Sequence, residues 1–197
     1  RKESSAASDV YKRQASLSTI HGGDRSQDKV LVSTPSEGLD RGAIAMSAQV
    51  NLGDPAEPEM IQRMARITTV SHEKSIPVLG MFYPRGRNLI LDDSDSTSGV
   101  AHAARLAWEL GCNVVKVPWT GSEKSFEIVT SSVPIPVLVS GGPKDDDFGK
   151  VLKLVEKSIN AGGSGVCMGR NVFSSEDPAS RIRALRSIVH ELSLIHI

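Results

Sequence analysis

Between residues 15 and 191 short apolar runs alternate with longer amphipathic stretches, and the two kinds of segment have different periods. The short runs are ASLSTIH (15–21), AIAMSAQV (43–50), PVLGMF (77–82), NVVKV (113–117), IPVLVS (135–140) and GVCMG (165–169). Near-continuous apolar character over so few positions is the pattern of strands buried on both faces of a parallel sheet. The stretches at 57–74, 97–111 and 145–163 have helical spacing instead. In the last of them Phe148, Val151, Leu152, Val155 and Ile159 recur at three and four residues and form one apolar helical face. Gly111 and Gly162 stand where helices should stop, since glycine adopts the left-handed conformation that follows a helix C-terminus.

Successive strand starts at 43, 77, 113, 135 and 165 lie about one βα unit apart, which predicts an α/β fold with a parallel sheet and right-handed crossovers. A doubly wound open sheet and a (β/α) barrel both satisfy this rhythm. No glycine-rich dinucleotide fingerprint follows any of the strands, which removes the commonest reason for the open sheet. The ends differ from the rest: residues 1–14 are polar and aperiodic, and LSLIHI at 192–197 is an apolar scrap with no turn signal before it. SAASDVYKRQ and LSLIHI resemble translated adapter sequence at the ends of assembled environmental reads. The expected organisation is a non-native or disordered tail over 1–14, one domain over 15–191 and a second non-native tail over 192–197.

Composition narrows the partners. Twenty-three basic and 23 acidic residues cancel, with no long block of one sign, so neither nucleic acid nor an anionic membrane is an expected partner and small metabolites are. No run of eighteen apolar residues is present. The two cysteines, Cys112 and Cys167, sit beside apolar strand-like residues and read as buried thiols of a reducing, cytoplasmic compartment.

In α/β architectures the active site lies at the C-terminal ends of the strands. Those ends carry Tyr83, Pro84 and Arg85 after the run at 77–82, Lys116 in VVKV, Ser140, Gly141 and Gly142 at the end of the run at 135–140, and Gly169 with Arg170 at the end of the run at 165–169. Lys116 raises the sharpest question, because Val114, Val115 and Val117 surround an amine with β-branched side chains. An amine taken out of water loses part of its preference for the ammonium form, and a neutral amine is a nucleophile toward carbonyl carbon. The alternative is a lysine with a buried stem and a solvated head. Gly141 and Gly142 let backbone N–H groups approach a ligand, Ser140 adds a hydroxyl, and Gly169 with Arg170 repeats the device on the next strand with a fork suited to phosphate. The competing readings are a tight glycine turn and a helix start capped by Asn171. Tyr83 is either a packed aromatic or a phenol placed to move the proton of a substrate hydroxyl. Amine, phenol and phosphate clamp together form the parts of a Schiff-base aldolase.

Other candidates are weaker. His21, Gly22, Gly23 and Asp24 read as a loop, His102 as helix packing or surface, and Trp119 as a pocket wall or barrel-rim cap. The acidic runs at 92–95 and 145–147 read as solvated charge, the second favoured by a helix dipole.

The motifs MFYPRG (81–86), VAHAARLAWELGCNVVKVPWTG (100–121), PVLVSGGPK (136–144) and GVCMGRNVF (165–173) resemble, in order, those of the archaeal-type class I aldolases of the DeoC and fructose-bisphosphate aldolase group. Within it, QVNLG (49–53) and MFYPRG are more similar to the 2-amino-3,7-dideoxy-D-threo-hept-6-ulosonate synthases than to the fructose-bisphosphate aldolases. The resemblance implies a (β/α)8 TIM barrel, a phosphorylated sugar substrate, no cofactor or metal, and a homo-oligomer at full length. It implies that Lys116 forms the Schiff base, that Tyr83 acts as acid and base, and that Ser140, Gly141, Gly142, Gly169 and Arg170 bind phosphate. The alternatives are a glycolytic fructose-bisphosphate aldolase and, from another class, a noncatalytic phosphate-binding barrel. The family pattern begins with two further strands, the first bearing an aspartate in an MDHG-like motif that Asp24 does not replace. The expectation is an N-terminally truncated barrel of about six βα units that lacks turnover by itself.

Overall fold

The computed structural model describes residues 12–18, 23–85 and 95–191. The tail at 192–197, most of the tail at 1–14, His21, Gly22, Gly86, Asp92 and Asp93 lie outside the described residues. Strands β1 (Lys12–Gln14), β4 (Ala45–Leu52), β5 (Val78–Pro84), β6 (Val114–Val117), β7 (Val137–Ser140) and β8 (Gly165–Cys167) form one sheet in the order β1-β4-β5-β6-β7-β8. Every neighbouring pair in it is parallel. A separate antiparallel ribbon pairs β2 (Ser16–Ser18) with β3 (Lys29–Leu31).

Helices α1 (Pro35–Asp40), α2 (Glu57–Glu73), α3 (Thr97–Glu109), α4 (Glu123–Ser131) and α5 (Phe148–Asn160) each connect one strand to the next, and α6 (Arg170–Phe173) and α7 (Pro178–Glu191) follow β8. Local chemistry sets the boundaries. Thr34 and Glu37 close a capping box on α1, Pro58 sits in the first turn of α2, and the Asp147 carboxylate accepts from Gly149 N–H at 2.9 Å to start α5. Gly111 and Gly162 have φ of 84° and 81° just past α3 and α5, as the glycine positions predict. Along α2 the side chains of Met60, Met64, Ile67 and Ser71 are buried, the i, i+4, i+7, i+11 stripe of a helix laid on a sheet. No helix among the described residues is long and apolar enough to cross a membrane.

The main core lies between sheet and helices. Met46, Ala48, Val50 and Leu52 of β4, Val78 and Phe82 of β5, Val115 and Val117 of β6, and Val137 and Val139 of β7 share it with Met60, Met64, Val100, Ala104 and Phe126 from the helices. A second cluster joins α5 to α7 through Val155, Phe148, Leu152, Leu185 and Ile188, which is where the predicted apolar face of α5 goes.

Two expectations at the front are corrected. The run at 15–21 is not a strand of the main sheet: Ser16–Ser18 turns off into the ribbon with β3. The strand beside β4 is Lys12–Gln14, residues read from the sequence as tail. Ala15 is the pivot, its N–H donating to Ser47 O at 2.7 Å while its carbonyl accepts from Val32 N–H at 2.8 Å. ASLSTIH alternates small polar with apolar positions, a pattern that suits a ribbon more than a strand buried on both faces.

Candidate active site

Strand β6 resolves what the lysine does among valines. Val115 and Val117 are fully buried beneath the helices, whereas Val114 and Lys116, on the opposite face, are half-buried. The side-chain period of two separates the sets: the apolar neighbours belong to the core and the amine to the inner face of the sheet. Lys116 is therefore not enclosed by the residues adjacent to it in sequence. Register extends the inner face sideways. Lys116 pairs with Met81 on one side and Leu138 on the other, so Tyr83 and Ser140, two residues on, share its face, and Ser140 pairs with Cys167.

Tyr83, Lys116, Ser140, Gly141, Gly142, Gly169 and Arg170 all line one cleft of about 470 Å³ at the C-terminal ends of β5 to β8. A second hollow, of about 500 Å³, lies around Asp145, Asp146, Glu176 and Asp177 and holds none of them. Lys144, 3.7 Å from Asp146, belongs to that hollow and not to the cleft.

The two glycines after β7 have separate reasons. A Cβ on Gly141 would stand 2.5 Å from Met168 Cβ, so the β7 and β8 loops approach this closely only without it. Gly142 has φ of 63°, the left-handed region that other residues adopt at a cost. A Cβ on Gly169 would meet nothing within 4 Å, leaving its backbone open to the cleft. Arg170 Nη2 donates to Gly142 O at 3.1 Å and ties the two loops together. Arg170 also begins α6, where a backbone N–H has no partner within the helix, so guanidinium and amides share one side of the cleft.

Two residues of this arrangement were given no role in the site by the sequence: Asn171 was read only as a helix cap and Arg85 only as a residue at a strand end. Asn171 is 1% exposed, and its amide donates to Gly141 O at 2.6 Å and Pro143 O at 2.9 Å while its Oδ1 accepts from Asp145 N–H at 2.8 Å. It does not cap α6, whose N-cap is Gly169; it fixes the shape of the loop after β7. Its own carbonyl accepts from Arg181 of α7 at 2.6 Å, and that guanidinium lies 4.5 Å from the Phe148 ring centroid. Arg85 is the other, exposed at the rim with its guanidinium 4.2 Å from the Tyr83 ring centroid. Although the side chain reaches the rim, desolvation of its guanidinium lowers its hold on the proton, Tyr83 raises it and Arg170 lowers it again, leaving the group below an arginine's ordinary value. The sequence signal for Arg85 was proximity to a strand end, and for Asn171 a place at a helix start.

The weaker candidates resolve as packing or surface. Trp119 packs at a tilt of 40° against the buried Phe126 ring, centroids 5.1 Å apart, and His102 is exposed on α3. Gly23 and Asp24 lie in a short 3-10 turn. Cys112 is buried as expected, and burial pushes its thiol up to about 12; Cys167 is instead half-buried and lines the cleft. No cluster of three or more histidine, cysteine, aspartate or glutamate side chains able to hold a metal occurs among the described residues.

Known proteins resemble this chain in sequence and in fold. The DeoC/LacD family aldolase model matches residues 13–175. A 2-amino-4,5-dihydroxy-6-oxo-7-(phosphonooxy)heptanoate synthase of Streptomyces griseus is 39% identical over 175 residues, covering 89% of this chain and 63% of that protein. A 2-amino-3,7-dideoxy-D-threo-hept-6-ulosonate synthase of Archaeoglobus fulgidus is 40% identical over 163 residues, 83% of this chain and 59% of that protein. The chain thus spans about 60% of the length of these curated relatives. The crystal structure of an archaeal fructose 1,6-bisphosphate aldolase superposes with a TM-score of 0.82 at 31% identity, over 90% of this chain and 70% of that one. The likeness identifies the six-stranded parallel arc as part of a (β/α)8 TIM barrel, the closed alternative of the two that the strand rhythm allowed. On the family match and on identities near 40%, this chain belongs to the DeoC/LacD aldolase family.

Proposed function

We propose that the protein is a class I aldolase or transaldolase acting on a phosphorylated ketose, with Lys116 as the Schiff-base residue. The observation that carries this is the amine on the inner face of β6, sharing one cleft with a phenol on one side and the glycine–arginine loops on the other. Lys116 Nζ adds to the ketone carbon, and loss of water leaves an iminium. Electrons from the breaking carbon–carbon bond flow into it to give an enamine, while Tyr83 takes the proton from the hydroxyl whose carbon leaves as an aldehyde. Addition of the enamine to a second aldehyde reverses these steps, Tyr83 returns the proton, and water releases the product from Lys116. Ser140, Gly141, Gly142, Gly169 and Arg170 hold the phosphate and so place the carbonyl at the amine.

The substrate reading favoured by the two relatives near 40% identity is an amino-heptulosonate synthase reaction; the product named for the Streptomyces griseus enzyme carries a phosphate at one end and a carboxylate at the other, and that named for the Archaeoglobus fulgidus enzyme carries the carboxylate alone. A fructose-bisphosphate aldolase is the second reading, supported by the TM-score of 0.82. The two free thiols support a cytoplasmic setting, and the family resemblance supports a homo-oligomer. Borohydride reduction in the presence of each ketose phosphate tests the proposal: substrate mass is expected on the Lys116 peptide and absent in Lys116→Met. Reversible binding with no adduct would leave a noncatalytic phosphate-binding barrel, and an adduct on Lys144 would overturn the assignment.

A further inference from the structure

The aldolase mechanism gives no part to Arg181, a half-buried cation near the start of α7 that lies outside the cleft, on the wall of the second hollow. An arginine on a surface helix ordinarily leaves its charged head in water. This one turns inward. Its Nη1 donates to Asn171 O at 2.6 Å, and its guanidinium lies 4.5 Å from the Phe148 ring centroid. Asp145, Asp146, Glu176 and Asp177 line the same hollow, yet among the described residues Arg181 forms no ion pair with any of them. The carbonyl it chooses has no other donor among the described residues: α6 is one turn long, and the amides of Val172 to Ser175 bond instead to Gly169, Arg170 and Val172. Asn171 is 1% exposed, so without Arg181 that carbonyl is a buried acceptor left unpaired.

Holding α7 to the barrel does not need this contact. Leu185, with Ile182 and Ile188, already packs in the apolar cluster of Val155 and Val172. Apolar packing has no preferred direction, whereas a charge-assisted hydrogen bond backed by an aromatic ring fixes a position. What Arg181 adds is therefore placement, and the thing placed is the main chain of Asn171. The Asn171 side chain in turn donates to Gly141 O and Pro143 O and accepts from Asp145 N–H, while its neighbour Arg170 donates to Gly142 O. The loop after β7 and the opening of α6 thus share one anchor that stands outside the cleft.

We propose that Arg181 is a positioning residue of the phosphate site: acting through Asn171, it sets the loop after β7 against the first turn of α6 and so sets the affinity for phosphorylated ligands. The inference rests on the reading of those two loops as the phosphate site. It assigns the C-terminal helix α7, which touches no ligand, a share in substrate selection. A lysine at 181 keeps the charge and a donor but loses the flat face that rests on Phe148, and a methionine keeps only the stem.

The test measures the dissociation constant of inorganic phosphate by calorimetry on the unaltered chain, Arg181→Met, Arg181→Lys, Asn171→Ala and the double variant Arg181→Met/Asn171→Ala. Arg181→Met is expected to weaken phosphate by about five- to tenfold, part of the worth of a charge-assisted hydrogen bond to a buried carbonyl, and Arg181→Lys should recover much of that loss. Because Arg181 acts through Asn171, the double variant should bind within about twofold of Asn171→Ala alone. Borohydride trapping of dihydroxyacetone, which has no phosphate, on Lys116 should change far less in Arg181→Met than phosphate affinity does. Undetectable phosphate binding by the unaltered chain, an affinity unchanged in Arg181→Met, or losses that add in the double variant each overturn the proposal. So does an equal loss of phosphate affinity and trapping with a lowered unfolding midpoint, the mark of a residue that only supports the fold. The trapping arm keeps the two readings apart. No adduct in any protein, with the phosphate pattern as expected, removes the aldolase reading and leaves Arg181 in place; an adduct on Lys116 with phosphate affinity unchanged by Arg181→Met removes the positioning role alone.

Discussion

At the scale of single residues, the site divides into groups that break a local pattern and groups that do not. Lys116 was legible because a charge interrupts an apolar run, and Gly141, Gly142 and Gly169 because glycines follow strand ends. Asn171 was read only as a competing helix cap, because its partners at Gly141 and Pro143 lie 30 and 28 residues away and no periodicity connects them. Removing its amide makes a distinct prediction. Asn171→Ala leaves two carbonyls and one N–H of the β7 loop without partners and lets the loop leave the shape that Arg170 completes. Competition by inorganic phosphate should weaken at least about tenfold, consistent with the loss of several buried hydrogen bonds. Adduct formation at Lys116 with an unphosphorylated ketone should change little. Equal losses in both measurements would mean that Asn171 supports the whole barrel mouth and not the phosphate loop.

At the scale of elements, the ribbon of β2 and β3 is fastened to the barrel by charge. Asp28, 1% exposed beside β3, accepts from Arg63 of α2 at 2.5 Å and from Arg25 at 2.7 Å, and Arg63 also donates to Lys29 O at 3.0 Å. Burial alone would raise the Asp28 carboxyl, but the hydrogen bonds and charges of the two arginines outweigh it and hold its pKa below the ordinary value. A carboxyl bound more weakly to its proton in the folded state stabilises the fold above its unfolded pKa, about 3.9, and loses that contribution as pH falls through the lower folded value. Thermal unfolding of the unaltered chain should therefore lose stability on acidification below about pH 4, and Asp28→Asn should flatten that dependence while lowering stability at pH 7 by about 2 kcal/mol. An unchanged acid slope in Asp28→Asn would assign the pH dependence elsewhere. The ribbon itself was not legible, because β3 is three residues long and its pairing with Ser16–Ser18 spans a loop that hydrophobic period does not encode.

At the scale of the whole molecule, the sheet is an arc with two edges. Among the described residues β1 pairs only with β4 and β8 only with β7, so each edge presents one unpaired row of backbone N–H and C=O groups. Such edges pair with other chains unless they are covered. The chain by itself is expected to elute in sizing chromatography well above the volume-equivalent of 21.1 kDa, with the apparent size rising with concentration. A concentration-independent monomer would show that both edges are capped. The same arc explains why the cleft opens only where it does. It is bounded by the ends of four consecutive strands, β5 to β8, and those four carry every residue to which the mechanism assigns chemistry.

The sequence by itself determined the parallel α/β order from β4 to β8, the helix stops at Gly111 and Gly162, and the strand ends that carry chemistry. Those follow from nearest-neighbour physics: a side-chain period, the conformational freedom of glycine, and the rule that sites form where parallel strands end. Tertiary structure alone decided which way each of those residues faces. Val115 and Val117 go to the helices and Lys116 to the inner face because the adjacent strands at Met81 and Leu138 set the register, and a one-residue slip would reverse every one of them. It likewise decided that Ala15 ends the first strand, that Asn171 shapes a loop and does not cap a helix, and that Arg85 rests on Tyr83 across the lysine from Arg170. Each of these is a contact between segments or a direction in space, and neither is a property of a segment taken alone.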